Sequence, residues 1–398
     1  MKTILLIGTG IDAQDSVSRI NDQYIRVVLI QKRSLYREQQ GKGAECVILT
    51  DYESTNFLQL ADTLHSFWHF DAVLSLTEAG VEVAAKLNQA WSIEWTPVDT
   101  VAKLKDKYAM RMNLNLAEFS KVNCALCCTE SDLIHFADKN GFPFILKPVD
   151  GAGSENVVKV DSIGKMNRLI NTWQSKSFTA IAESWINGQE YSVETLSFSG
   201  KHHVVTITEK YVDDNFIEIG HIIPARIDEN LAEKIRQFVL EFLKLMGVTD
   251  GPCHTEIKVD DNVIKVIESH NRIGGDYIGL AIRQVYHFDM IALTARWACY
   301  REYPQLDTIK SLGCAVVQFF QFPMGTISSI TGIEKFKQQG ASQLVDFSFK
   351  YCAGDTITTM SGNSSRAGHF MLFGSDATDT LDLSLRLKSL VQISIKDL

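Results

Sequence analysis

Residues 251–276, GPCHTEIKVDDNVIKVIESHNRIGGD, constrain the fold more tightly than any other stretch of the chain. Two runs, His254–Val259 and Val263–Glu268, are rich in apolar and β-branched residues. The turn-forming Asp260-Asp261-Asn262 separates them, which predicts a hairpin. With those residues as the loop, Glu256 faces Val266 and Glu268 faces His254. The two carboxylates then share a face as diagonal neighbours roughly 7–8 Å apart. Like charges at that distance repel unless a cation sits between them, and Mg²⁺ suits a few carboxylates completed by phosphate oxygens. His270 and Arg272 follow on that face at two-residue steps, and Gly274-Gly275 lets the chain turn closely past a ligand. The competing reading is a solvated hairpin edge with scattered charge.

The chain has 398 residues, enough for two or three domains, and its 45% hydrophobic content supports large cores. A net charge of −9 excludes wholesale binding to nucleic acid or an anionic membrane, but leaves room for a local basic pocket. No apolar run reaches the roughly 18 residues of a membrane span. Met1-Lys2 leads straight into a strand-like run, so no signal peptide is expected. A cytoplasmic setting with free thiols follows for the eight cysteines. Cys124-x-x-Cys127-Cys128 has no second CxxC or His pair, and reads as ordinary thiols rather than zinc ligands.

From the N-terminus, apolar runs at 2–8, 26–30, 46–49 and 72–76 alternate with helical stretches, which predicts an open α/β sheet ending near residue 100. Gly8-Thr9-Gly10 falls short of the full dinucleotide fingerprint, since Ala13 replaces its third glycine. Glu78, just past the 72–76 run, is either a ligand-end residue of the sheet or a carboxylate favoured by a helix dipole. Further on, a strand at 144–148 delivers Lys147 beside the loop Asp150-Gly151-Ala152-Gly153-Ser154, with a second strand at 157–160. Such a loop can offer N–H groups and a hydroxyl to phosphate oxygens while the lysine supplies charge. Runs at 180–186 and 190–195 flank Asn187-Gly188 and read as another hairpin. Residues 231–246 have the spacing of an amphipathic helix, with Gly247 as its stop. His221 is either a structural histidine or a site residue. Strands at 314–322, 343–349 and 370–374 precede a last helix after Ala377.

In the order Lys107, ILKPVDGAGS, AESWINGQEYSVE, Pro224-Ala225, HTEIKV and VIESHNRIGGD, the chain resembles the ATP-grasp ligases, and within them the L-amino acid ligases and dapdiamide-type amide ligases. The resemblance implies an α/β and α+β architecture. A Rossmann-like pre-ATP-grasp domain occupies residues 1–100, the ATP-grasp domain 101–300 with a lid at about 141–195, and a β-rich part 301–398. It implies that Lys107, Lys147, Gly151, Gly153 and Ser154 meet the phosphates of ATP. Glu183, Ser184, Trp185 and Ile186 form the adenine hinge, and Glu190 reaches the ribose. Glu256 and Glu268 bind Mg²⁺, for which Mn²⁺ can substitute. Lys147 and Arg272 are the catalytic pair, and His221, His270, Arg272, Gly274, Gly275 and Asp276 meet substrate. His270 stands where many ATP-grasp members have asparagine, so either the metal site is looser or His270 serves the substrate. The implied activity is ATP-dependent amide or peptide bond formation between small-molecule carboxylate and amine substrates in peptide natural product biosynthesis, with no nucleic-acid or membrane partner. A homodimer is compatible with this, although the sequence does not fix the oligomeric state. The alternatives are a biotin-carboxylase-like or purine-pathway carboxylating enzyme, a non-catalytic nucleotide-binding protein and a Rossmann dehydrogenase.

Overall fold

The computed structural model describes residues 1–149, 151, 153–173, 179–306, 310–358 and 362–396. Asp150 and Ala152 of the glycine loop lie outside the described residues. At the N-terminus, strands Cys46–Leu49, Ile25–Gln31, Lys2–Ile7 and Ala72–Leu74 form a parallel sheet in that order. Leu5, Ile7, Val28 and Ile30 fill its core on one face, while Ile4, Leu6, Val27 and Leu29 fill it on the other. The apolar runs are continuous because both faces are covered. Gly8-Thr9-Gly10 opens no long helix: a 3₁₀ turn at Ile11–Ala13 and a five-residue helix, Ser16–Ile20, follow, and Gln31 and Gln40 bind Thr9. The dinucleotide reading therefore lacks the helix N-terminus that would receive a pyrophosphate.

Helices Val98–Lys105 and Lys107–Leu116 lead into a four-stranded antiparallel sheet, ordered Cys124–Cys127, Ala180–Ser184, Phe144–Pro148, Val158–Val160. Next comes an antiparallel sheet of eight strands among the described residues. Its order is Val263–His270, Gly251–Asp260, Gln189–Phe198, Lys201–Val212, Glu218–Ile223, Cys314–Phe320, Gly368–Gly374 and Leu344–Phe349. The last three strands come from the C-terminal hundred residues, so that part extends the central sheet. Helix Glu229–Met246 buries Ile235, Val239, Phe242 and Leu243 against Val193, Cys253, Ile257 and Val266 on the back of this sheet.

Two expectations about pairing change. The runs flanking Asn187-Gly188 do not form a hairpin, because Ala180–Ser184 belongs to the four-stranded sheet and Gln189–Phe198 to the eight-stranded one. The turn residues mark a passage between sheets. Gly188 has φ +104°, and a Cβ there would collide with the Val259 carbonyl. The second change concerns the hairpin at 251–270. Asp260 pairs with Val263, which leaves Asp261 and Asn262, at φ +44° and +67°, as a two-residue loop. Positive φ at both positions is the signature of a type I′ turn. A bulge between Glu256 and Ile257 then shifts the register, so Glu256 stands directly opposite Glu268 and His254 opposite His270.

Candidate active site

The two sheets enclose a cleft at the Ser184–Gln189 passage. One compartment, of about 830 Å³, is lined by Lys107, Lys147, Gly151, Gly153, Ser154, the 183–186 segment, Glu190, Lys258, Glu256 and Glu268, among others. Lys107 begins its helix, where Asp106 caps the N–H groups of Tyr108 and Ala109. Its Nζ donates to the Gly151 carbonyl at 2.6 Å and lies 3.0 Å from Glu268 Oε2. Burial works against its charge, but Glu268 and other acids raise its pKa above the ordinary lysine value. Lys147 ends strand Phe144–Pro148, with Nζ 2.7 Å from Glu183 Oε2. Glu183 also accepts from Nε of the fully buried Arg111 at 2.6 Å. Burial favours the neutral acid, yet Lys147 and Arg111 bring Glu183 down to about 2. Its side chain is therefore held in an ion triad with Lys147 and Arg111. Trp185 is held between Lys159 at 3.9 Å, from the smaller sheet, and Lys258 at 4.4 Å, from the larger.

A second compartment of about 800 Å³ shares Gly153, Ser154, Glu190, Glu256 and Glu268 with the first and adds Lys210, Glu218, His254, His270, Arg272, Gly275, Asp276 and Asn363. The opposed carboxylates thus form a wall common to both spaces. Burial raises Glu256, but Lys210 and His254 prevail and hold it at about 2. Glu268 is likewise pulled well below the carboxylate range, by Lys107 and His270 against burial. Burial would discharge His254, but Glu194 and Glu256 keep it charged up to about 10. Among the described residues no group of three or more His, Cys, Asp or Glu side chains is arranged to hold a metal ion. Two opposed carboxylates fit a Mg²⁺ site that phosphate oxygens would complete.

Lys210, which the sequence reading missed, ties this wall together. It contacts Glu256, lies 3.4 Å from Glu218 Oε2 and 3.5 Å from Glu190 Oε1, and is buried.

Arg272 Nε donates to Glu78 Oε2 at 2.8 Å and Nη1 to the Ile273 carbonyl at 3.0 Å. Glu78 takes the helix N-terminal place open to it from sequence. It opens helix Glu78–Ala90 behind the Thr77 cap, and it reaches the site through Arg272 and His270. Burial raises its pKa, but His270 and Arg272 lower it to about 2. Asp276 does not pair with Arg272. Both guanidinium nitrogens of Arg366 bind it, Nη1 at 3.0 Å from Oδ2, and Asn363 adds a bond at 3.2 Å. Burial and Glu218 raise the Asp276 carboxyl above its ordinary value despite Arg366. Asn363 and Arg366 flank a short 3₁₀ turn and left no periodic trace in the sequence. His221 is fully buried, its Nδ1 2.8 Å from Glu218 Oε1, so it stands behind Glu218 rather than at the surface of the cleft. Gly274 is required where it sits, because a Cβ would come within 2.8 Å of His254 Nδ1 and 2.9 Å of Glu194 Oε2.

Residues 140–279, which carry Lys147, Glu183, Lys210, Glu256, Glu268 and Arg272, match the ATP-grasp domain family. Residues 318–396 match the family of the L-amino acid ligase C-terminal domain 2. It is 26% identical over 308 residues to an L-arginine-specific L-amino acid ligase of Bacillus subtilis, covering 74% of this chain and 73% of that protein. It is also 26% identical over 255 residues to an alanine–anticapsin ligase of Bacillus subtilis, covering 58% of this chain and 54% of the other. An L-amino acid ligase from Bacillus licheniformis superposes with a TM-score of 0.86 at 21% identity, covering 100% of this chain and 99% of that one. N5-carboxyaminoimidazole ribonucleotide synthetase from Thermotoga maritima superposes at 0.74 and 16% identity, covering 100% of each chain. At these identities the two structures establish the fold.

Proposed function

We propose that this chain is an ATP-dependent, ADP-forming carboxylate–amine ligase that joins two amino acids or amino-acid-like compounds, as in the making of peptide natural products. The observation that carries this reading is the pair Glu256 and Glu268, which walls both compartments and pairs with two lysines from different elements, Lys107 and Lys210.

Lys107, Lys147 and Lys210 bind the phosphates, with Gly151, Gly153 and Ser154 supplying donors. The 183–186 segment holds the adenine, and Glu190 the ribose. Glu256 and Glu268 hold Mg²⁺ or Mn²⁺, which when bound offsets the charge of the transferring phosphoryl group. Arg272, oriented by Glu78, holds the carboxylate to be activated. An oxygen of that carboxylate displaces ADP from the γ-phosphorus, giving an acyl phosphate. The amine then attacks the acyl carbon and phosphate leaves. Glu218 and Asp276 face each other in the second compartment, and this acidic pair suits the ammonium group of the incoming amino acid. Lysines fixed in advance by carboxylates need little rearrangement as charge develops. Closure of the glycine loop over the cleft excludes water from the acyl phosphate.

No helix among the described residues is long and apolar enough to cross a membrane. The eight free cysteines agree with a reducing, cytoplasmic setting. The test is a screen of amino-acid pairs for phosphate release with ATP and Mg²⁺, with products identified by mass. Release that depends on bicarbonate instead of an amino-acid pair would favour the carboxylating alternative.

A further inference from the structure

Three separate segments of the chain meet at Asn363. Its backbone N–H donates to the Gly153 carbonyl of the glycine loop at 3.0 Å. Its Oδ1 accepts from the backbone N–H of Glu218 at 3.1 Å, and its Nδ2 donates to Asp276 Oδ2 at 3.2 Å. Gly153 and Ser154 line both compartments, whereas Asn363, Glu218 and Asp276 line the second. One residue of the C-terminal part thus joins the loop that borders both spaces to the two acids of the second.

Asn363 is fixed from behind. Arg366 donates from Nε to the Asn363 carbonyl at 2.9 Å and from Nη1 to Asp276 Oδ2 at 3.0 Å, and its guanidinium lies 3.7 Å from the centre of the Phe319 ring. The Ala367 N–H donates to the Phe320 carbonyl at 2.7 Å, which fastens the turn to the central sheet. Gly362, at φ +68°, lets the glycine loop come close: a Cβ there would lie 2.8 Å from Glu155 Cγ and 3.1 Å from the Gly153 carbonyl oxygen. Asparagine suits such a junction because its amide carries an acceptor and a donor side by side. An aspartate would still accept from the Glu218 N–H, but it would lose the donor and set a like charge against Asp276.

We propose that Asn363 is a positioning residue that couples the two halves of the reaction: it keeps the glycine loop seated beside the acidic pair, so that the acyl phosphate passes to the amine rather than to water. This rests on the ligase reading of the cleft. In the productive step the amine nitrogen bonds to the acyl carbon, phosphate leaves with the electron pair of the broken C–O bond, and the proton shed by the nitrogen ends on the phosphate. Water attacking the same carbon returns the free acid and phosphate, and ATP is consumed without amide. The bond from Asn363 to Gly153 separates the two outcomes, because it holds the loop against the compartment in which the amine waits.

The experiment uses the full chain with ATP, Mg²⁺ and an amino-acid pair from the phosphate-release screen, and measures phosphate and amide in the same reaction. For Asn363→Ala we expect the excess of phosphate over amide to rise by roughly tenfold, the shift in an open–closed equilibrium that follows the loss of a hydrogen bond to a charged group. Asn363→Asp should leak at least as much. Gly362→Ala displaces the loop with Asn363 intact and should give the same excess, and it carries the test should Asn363→Ala not fold. Backbone hydrogen exchange at residues 153–156, followed with ADP present, should quicken in each variant. Folded variants whose phosphate-to-amide ratio matches wild type would overturn the proposal, even with a lowered melting temperature, and would leave Asn363 a structural residue. A wild-type chain that forms no amide with any pair would overturn the ligase reading instead.

Discussion

Lys210 concentrates the electrostatics of the cleft in one side chain. Burial favours its neutral form, yet Glu218, Glu256 and Glu190 raise its pKa well above the ordinary lysine value. Replacing it with methionine leaves three acids without their common cation. Breaking a buried ion group in this way costs on the order of 3–5 kcal/mol. We therefore expect Lys210→Met to lower stability by about that much in denaturant unfolding and to abolish ADP formation. A variant as stable and active as wild type would contradict this role for Lys210. At Arg272 we expect Arg272→Lys to lose most turnover while ADP affinity holds, because an ammonium cannot reproduce the guanidinium fork. Single-turnover rates and ADP titrations check the two halves of that statement. Glu183 gives a pH dependence of known sign. Its folded pKa of about 2 lies below the ordinary 4.5. The stability it contributes is complete above 4.5 and is lost as pH falls toward 2, on the order of 3 kcal/mol in all. The pH dependence of the melting temperature of Glu183→Gln should accordingly be flatter than wild type between pH 5 and pH 2. At this scale Lys147 and Arg272 stood out beside glycine-rich turns, and Glu256 and Glu268 because a hairpin puts both on one face. Lys210, His254, Asn363 and Arg366 were not, because their partners lie on strands and turns distant in sequence.

The elements were legible wherever the pattern was local. The hairpin at 251–270, the amphipathic helix ending at Gly247 and the parallel N-terminal sheet all follow from periodicity and turn residues. Register and sheet membership did not follow. The bulge after Glu256 leaves no mark in composition, and nothing local distinguishes a hairpin turn at Asn187-Gly188 from a passage between sheets. That passage makes the cleft, since it sets the smaller sheet over the first compartment. The type I′ loop offers a test of the observed register. Asn262 at φ +67° should accept glycine with a change of no more than about 1 kcal/mol, whereas Asn262→Val, β-branched at positive φ, should destabilise by more than that. Equal unfolding midpoints for the two variants would favour the three-residue loop instead.

The molecule as a whole sets two compartments on either side of one carboxylate wall, and the second draws its lining from two parts of the chain. Asp276 lies in the segment that matches the ATP-grasp family and Asn363 in the C-terminal part, while Glu78 from the N-terminal part supports the lining residues Arg272 and His270 and Arg366 supports Asp276. An enzyme that must keep an acyl phosphate away from water until an amine arrives needs such an enclosure. The most direct test is an ¹⁸O experiment on the full chain, using an amino-acid pair taken from the phosphate-release screen. With both carboxylate oxygens of the acid partner labelled, attack of that carboxylate on the γ-phosphorus predicts one ¹⁸O in the released phosphate and one retained in the amide product, with one ADP formed per amide. Released phosphate without label, or AMP in place of ADP, would contradict the acyl phosphate route and with it the proposed working of the cleft.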